Sequence, residues 1–476
     1  MKKILLWQFF DANQKRIVKN LSKKYICFSC SYNLNKKNDL GSILINKDIL
    51  IKNFAFIKEE NVLLHRKIYN LVFEKYLKNI YSMNFLGFKN YNLSPFDLSK
   101  ILFCQINCII EYYKSNKIDY LISSPYLCMG HDFLVYYVAK HLNIKTLLLV
   151  SQFRNRFFVT TDIVDFGRFN SIPNNFFNKI EYSLRKFHVG QPYYIDTVPK
   201  NIFYLMNKSN KYVFKLFFPN PRKLFSVKGY SEYMSKIKNV SEHYKKLLFW
   251  KQENNRKNII SKLPKKFCFF ALHYQPEATT IGVGKEYVDQ ILAIEALASI
   301  LPKDIFIIIK EHPAQSDLNL RTDFFYKRIK NLEKKIIFAN INDSSNVLVQ
   351  KSLFVCTITG TIGLEAIMNS KPALVFGRPW YLRFDGVFLW NKNIDINVII
   401  NSRPSYKKII KQFNALSTKM GFGVDAIGDW EKSIDVTTGY KKINYNDYQN
   451  CKLISDSIIK LLSSNKIKWF NYKTIY

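Results

Sequence analysis

The chain has 476 residues, 48% of them apolar, with 72 Lys and Arg against 36 Asp and Glu for a formal charge of +36. That length and apolar content exclude a disordered chain or one small domain, and call for at least two folded domains. The charge points to polyanionic partners such as nucleic acid, anionic lipid or phosphorylated substrates. Abundant Lys, Asn, Ile, Phe and Tyr, all residues of A/T-rich codons, give part of that charge a purely compositional origin.

The opening stretch, MKKILLWQFFDANQK, starts basic, but its apolar run ends at Asp11. That is short for a signal-peptide core, and no small-residue cleavage site follows. No run of about 18 uncharged apolar residues occurs, so no bilayer span is expected. The expectation is a cytoplasmic protein, soluble or peripheral on the inner face of the membrane. Cys27 and Cys30 form a CxxC within a β-like run, with no second pair at zinc-site spacing. The eight cysteines therefore read as buried free thiols.

Strands are expected at Ile4–Phe10, Tyr25–Cys30, Ile118–Ser124 and Ile144–Val150. Between the last two, Asp132–Leu142 has a helical apolar period, and strand, helix, strand within about thirty residues is a βαβ unit of a parallel sheet. His131 and Asp132 stand at the start of that helix. Either is a candidate base, and Asp132 is also a candidate nucleophile, electrostatic stabiliser or plain N-cap. Asp162 and Asp165, in TTDIVDFG, are further carboxylates at a turn.

From about residue 173 to 266 the alternation of strands and helices is lost. Residues 201–266 carry 16 Lys and Arg against three Glu, interleaved with Tyr, Phe and Trp. Amphipathic helices suited to an anionic membrane surface, a charged glycan or plain solvent are the alternatives. No nucleic-acid motif accompanies the charge, so nucleic acid is set aside as a partner.

The alternation then returns. Strands are expected at Phe267–Tyr274, Ile305–Lys310, Lys335–Asn340, Leu353–Thr359 and Pro372–Gly377, with helices at Tyr287–Leu301 and Thr361–Asn369. Such near-continuous apolar strands belong in a sheet covered on both faces. A last helix is expected at Tyr448–Ser464, packing back across the domains.

In doubly wound folds, ligands collect beyond the carboxyl ends of the strands. IFIIIKEHP sends Lys310, Glu311 and His312 to that edge, and Pro313 stops the ladder. Lys310 and His312 can donate to a phosphate. In CTITGTIGLEAIMN, Thr359, Gly360 and Thr361 turn the chain into a helix whose first N–H groups and positive dipole end favour an anion. The turn is neither a Walker loop nor a GxGxxG fingerprint. Ser344 and Ser345 offer a similar helix start. Gln275, Pro276 and Glu277 follow the strand ending in His273–Tyr274; Gln275 can read a base edge or sugar hydroxyl, and Glu277 can accept a proton. Three strand ends thus deliver candidate groups to one rim.

HYQPEATT, KEHP and TGTIGLEAIMNSKPALVFG, in this order, resemble the capsule-polysaccharide biosynthesis family of GT-B glycosyltransferases. That family includes β-Kdo transferases that use CMP-Kdo, and its signature is a QP motif followed by an HP motif. The resemblance is strongest over Phe267–Tyr381, moderate over Ser123–Gly167 and absent across the basic middle segment. It implies an α/β, GT-B-like chain: two Rossmann-like doubly wound domains facing a cleft, with a basic helical insertion. The expected boundaries are 1–172 for the acceptor side, 173–266 for the basic segment, 267–445 for the nucleotide-sugar domain, and 446–476 for the returning helix.

By the same resemblance, Gln275–Pro276 and His312–Pro313 belong to the nucleotide side, with His312 and the TGT turn near the CMP phosphate. Where relatives often have His after SSP, this chain has Tyr126. The implied function is transfer of a sugar, Kdo or a related nonulosonic acid, from a CMP donor to a glycan or lipid-linked acceptor. No cofactor or metal is called for, since no DxD-like acidic pair sits at a strand end. A CDP-glycerol or CDP-ribitol polyol-phosphate transferase and a non-catalytic polysaccharide assembly protein are the alternatives. Whether anomeric configuration is retained or inverted stays open.

Overall fold

A computed structural model of the chain describes residues 1–9, 12–30, 40–45, 62–63, 65–72, 95–123, 127, 130–153, 156–163, 234, 241, 245, 248–249, 252–253, 258–275, 278–312, 315, 321, 323–332, 336–417, 421–422, 447–464 and 467. The basic middle segment thus lies almost entirely outside the described residues. The chain divides into two compact units. The first comprises Met1–Arg185, Ile281–Val283 and Ile410–Tyr476, and the second Lys186–Thr280 and Gly284–Ile409.

The second unit is built on six strands: β6 (Phe267–Ala271), β7 (Phe306–Lys310), β8 (Ile336–Phe338), β9 (Val355–Thr357), β10 (Ala373–Val375) and β11 (Val387–Leu389). Every pairing is parallel, in the order β11-β10-β9-β6-β7-β8. Counted within the unit, this is the 3-2-1-4-5-6 order of dinucleotide-binding folds. Side chains alternate across the sheet. Cys268, Phe270, Ile307, Ile309, Cys356 and Leu374 pack on one face with Ile291, Ile294 and Leu297 of the helix Gln290–Ile300. Phe267, Phe269, Ile308 and Val355, on the alternate positions, are buried as well. Burial on both faces explains why these strands read as unbroken apolar runs.

In the first unit, β1 (Lys3–Trp7), β2 (Ile26–Ser29), β3 (Tyr120–Ser123) and β4 (Lys145–Phe153) pair in parallel in the order β2-β1-β3-β4. Two further strands, β5 (Arg156–Thr160) and β12 (Gly421–Phe422), extend the sheet antiparallel. Strand β5 was not expected from the sequence, because its hairpin with β4 departs from the βαβ rhythm used to read the region. The helix Asp447–Ser463 belongs to this unit. Its Ile454, Ile458 and Leu461, spaced along one helical face, share a core with Ile4, Leu6, Ile122 and Leu147. That packing and the β12–β5 pairing place residues 410–476 in the first unit, so the second closes at Ile409 rather than near 445. The expected pair of Rossmann-like α/β units is therefore present.

The described cysteines are free, five of them buried and Cys27 and Cys108 half-buried. Among the described residues, no helix is long and apolar enough to cross a membrane.

Three helices of the first unit meet at a histidine pair. His65 Nδ1 lies 3.1 Å from His141 Nε2, and Lys114 Nζ lies 2.8 Å from His65 Nε2. An ammonium can only donate, so the chain of bonds runs from Lys114 to neutral His65 and on to His141. Burial and then the neighbouring cations push His141 down to about 4; burial and Lys114 lower His65. Both histidines are depressed in the folded state, so their contribution is complete above the ordinary histidine pKa of 6.5 and is lost as pH falls toward 4. Acidification from pH 7 to pH 4.5 is expected to cost on the order of 1 kcal/mol at this cluster, after discounting for solvent screening. Denaturant unfolding across that range, compared with His141→Gln, measures it. An identical slope in the variant removes the histidines as the cause.

Candidate functional site

The strand order of the second unit reverses between β6 and β9. The connection leaving β6 runs to β7 on one side, while that leaving β9 runs to β10 on the other, which makes the carboxyl edge between them a topological switch point. His273, two residues beyond β6, is buried at this switch point. Its peptide is pinned by the Gln290 amide, whose Oε1 accepts the His273 N–H (2.8 Å) while its Nε2 donates to the His273 carbonyl (3.1 Å). The ring reaches toward β9, where its Nε2 accepts the Thr359 backbone N–H at 3.0 Å and lies 2.9 Å from Thr357 Oγ1. Because a backbone N–H cannot accept, Nε2 carries the lone pair and the ring proton sits on Nδ1.

This contact fixes the Thr359-Gly360-Thr361 turn. Gly360 N–H donates to Thr357 Oγ1 at 3.2 Å. A Cβ on Gly360 would fall 2.7 Å from that oxygen and 3.1 Å from His273 Nε2, so glycine is required here by space. The helix Thr361–Met368 starts directly after, with Gly360 as an N-cap lacking a side chain. Its first N–H groups have no carbonyl within the helix to bond, and its dipole end is positive. From the loop after β10, the buried Tyr381 hydroxyl donates to the Gly360 carbonyl and occupies the space a Cβ on Gly363 would need. Glu365, one turn into the helix, is pushed up to about 7 by burial, partly offset by the Thr361 hydroxyl.

On the β7 side, Lys310 is almost fully buried and donates from Nζ to Ser345 Oγ at 2.8 Å. Burial brings its ammonium down to about 8, with Asp343 opposing the shift. Ser344 caps the helix Ser345–Lys351 by accepting the Val347 N–H. The two serines thus divide the work, one starting the helix and one holding the lysine. His312 is half-buried, its ring 6.1 Å from that of Tyr274. Both ends of the Gln275 side-chain amide are engaged within the protein: Nε2 donates to the Val288 carbonyl, and Oε1 accepts from Arg321 at 3.1 Å. Pro276, Glu277 and Pro313 lie outside the described residues.

The first unit has its own reversal, between β1 and β3. There Asp132 is fully buried, accepting from Trp7 Nε1 and Gln8 Nε2, each at 2.8 Å. His131 Nε2 lies 3.6 Å from the same carboxylate, and burial lowers the His131 pKa. Gln8 holds a left-handed backbone (φ 66°), uncommon for a residue of its kind, directly after β1. Asp162 is committed elsewhere, in a buried pair with Lys140 at 3.6 Å, and Asp165 is outside the described residues.

The structure thus brings Lys310, His312, Ser344, Ser345, Thr359, Gly360, Thr361 and Gln275 to the carboxyl edge of one sheet, with His131 and Asp132 at the equivalent edge of the other. Sequence reasoning missed His273 and Arg321. His273 adjoins the QP motif and was visible as a polar residue ending a strand. Arg321 sits in a stretch with no periodicity or motif to mark it.

The sequence model of the family described as capsule polysaccharide biosynthesis protein matches residues 171–410. The match begins in the basic segment, where the sequence reading found no resemblance, and stops short of Ser123–Gly167, where it found a moderate one. A search of the curated proteins returns no match. Among solved structures, the β-Kdo 2,7 transferase of Thermosulfurimonas dismutans KpsC aligns at 10% identity over 89% of this chain and 93% of that one, with TM-score 0.32. The β-Kdo 2,4 transferase of the same protein aligns at 12% identity over 64% and 82%, with TM-score 0.28. The UDP-GlcNAc 2-epimerase of Methanocaldococcus jannaschii aligns at 13% identity over 88% and 99%, with TM-score 0.23.

Gly360→Ala is expected to destabilise the protein by about 1–3 kcal/mol through overpacking. Adding Thr357→Ala, which removes the nearest obstructing atom, should recover part of the loss. Thermal unfolding of the single and double variants checks this; a single variant that melts with the wild type would contradict the close approach.

Proposed function

The chain belongs to the capsule polysaccharide biosynthesis protein family, and on that premise we propose that it is a glycosyltransferase whose second unit binds a nucleotide-activated sugar at the β6/β9 switch point. The observation that carries this reading is that the helix N-terminus after β9 and the buried Lys310 ammonium at the end of β7 both stand at the carboxyl edge of one sheet. We take the donor to be a CMP-sugar, with Kdo or a related nonulosonic acid as the sugar. A single phosphate suits this edge. The connection after β6, where dinucleotide folds place a glycine-rich pyrophosphate loop, has no glycine in HYQPEATT and is filled by the His273 imidazole.

In the reaction, the glycosidic C–O bond to the phosphate breaks and the electron pair leaves with CMP. Lys310 and the first N–H groups of the helix Thr361–Met368 stabilise the charge that accumulates on the departing phosphate. The sugar carbon becomes oxocarbenium-like, and an acceptor hydroxyl must lose its proton as it attacks. Within the first unit, taken by itself, the His131–Asp132 pair is our candidate for an acceptor-side base. The enclosed carboxylate accepts two neutral hydrogen bonds and stabilises the imidazolium that forms. The acceptor is a glycan or lipid-linked saccharide, and the basic segment, with 16 cations against three Glu over residues 201–266, suits the anionic surface on which such acceptors sit.

Purified protein incubated separately with CMP-Kdo, CMP-sialic acid, UDP-sugars and CDP-glycerol is expected to release CMP from a CMP-sugar. Release solely from a UDP-sugar eliminates the proposed donor, and CMP from CDP-glycerol identifies a polyol-phosphate transferase instead. CMP affinity should also fall as pH rises through about 8, because Lys310 loses its proton there in the free protein. Lys310→Met should weaken binding by about 10- to 100-fold, the worth of a charge-assisted hydrogen bond, and flatten the profile between pH 7 and 9. Titration calorimetry measures both; a wild-type profile that is already flat excludes Lys310 as a phosphate ligand.

A further inference from the structure

Arg321 precedes the helix Asp323–Lys330, is only 7% exposed, and has every side-chain nitrogen committed. Nε donates to Glu311 Oε2 at 2.6 Å, and Nη2 donates to Glu311 Oε1 at 3.1 Å and to the His273 carbonyl at 2.7 Å. Nη1 donates to Gln275 Oε1 at 3.1 Å. The Phe325 ring covers the guanidinium face, 4.4 Å from its carbon. Glu311 in turn accepts the His312 backbone N–H at 2.9 Å. One planar fork thus ties the loop after β6 to the loop after β7. A second tie runs parallel to it: Gln315 Oε1 accepts the Gln275 N–H at 2.7 Å, and its Nε2 donates to the Gln275 carbonyl at 3.0 Å.

We infer that Arg321 is a positioning residue of the donor site, holding the Gln275 and His312 loops as one rigid rim. The inference rests on the reading that this edge holds the nucleotide. The Gln275 amide, spent on Arg321 and Val288, serves as a strut of the rim, and His312 is placed through the Glu311 carboxylate. Lysine cannot take over. An ammonium lacks the planar fork that meets both Glu311 oxygens while reaching a carbonyl and an amide oxygen. With the guanidinium removed, Glu311 is left as a buried carboxylate without a counter-ion, and the Gln275 side chain and the His273 carbonyl lose their link to the His312 loop.

The test compares wild type, Arg321→Lys and Arg321→Ala by titration calorimetry with CMP, UMP, CDP and UDP, together with thermal unfolding. Arg321→Lys is expected to weaken the best-bound nucleotide at least tenfold, because an ammonium cannot hold Glu311, Gln275 and the His273 carbonyl together. Its melting temperature should stay within about 3 °C of wild type. Arg321→Ala should regain part of its nucleotide affinity in added guanidinium chloride and none in sodium chloride at equal ionic strength. Wild-type affinity in Arg321→Lys overturns the inference. So does a joint loss of affinity and stability that guanidinium does not restore, which would make Arg321 a general prop of the fold. If the wild type prefers UDP to CMP, the CMP donor is wrong while the Arg321 comparison proceeds with UDP. Binding of none of the four overturns both.

Discussion

The Thr359 backbone N–H can only donate, and the His273 imidazole takes it from the neighbouring strand's loop. From that bond follow the tautomer of the ring, the position of Thr357 Oγ1 between ring and turn, and the need for glycine at 360, where any Cβ would enter the same space. Tyr381 closes the turn from its other end by bonding the Gly360 carbonyl, and Gly363 makes room for it. The start of the helix Thr361–Met368 is thereby aimed by side chains from two other loops, and its orientation owes little to its own capping chemistry.

Buried charge is handled differently at each sheet edge. Arg321 and Glu311 neutralise each other in a closed pair, as do Lys140 and Asp162 in the first unit. Such pairs add little net stability, because desolvation offsets their attraction; what they provide is geometry. Asp132 is enclosed by neutral donors, Trp7 and Gln8, with a half-step to His131. Lys310 contrasts with all of these. Its one described hydrogen bond goes to a serine hydroxyl, and burial draws its proton affinity down toward neutrality.

The family match, residues 171–410, contains the whole sheet of the second unit and none of the first unit's sheet. Membership therefore bears on the edge built by His273, Lys310 and the TGT turn. Asp132 and His131 rest on their own geometry, the equivalent reversal between β1 and β3 with a left-handed Gln8 beside it.

Much of the second unit was legible in advance. Its strands are buried on both faces, so their apolar runs stand out, and the polar residues that end them, Lys310 and Thr357 among them, mark the carboxyl edge. The glycine turn was equally visible, because a helix start leaves a short local signature. Strand β5 and the assignment of residues 410–476 to the first unit were not, since an antiparallel hairpin and a returning helix are settled by distant pairing. Gln275 shows the boundary most sharply. Its residue type and place were readable, yet its amide is engaged by Val288 and by Arg321, 46 positions away. The sequence by itself determined which segments are strands and which polar residues end them, because burial period and turn chemistry are local. The tertiary structure alone decided the strand order, the switch point it creates, and the His273 and Arg321 contacts across it, because these depend on which remote segments lie side by side.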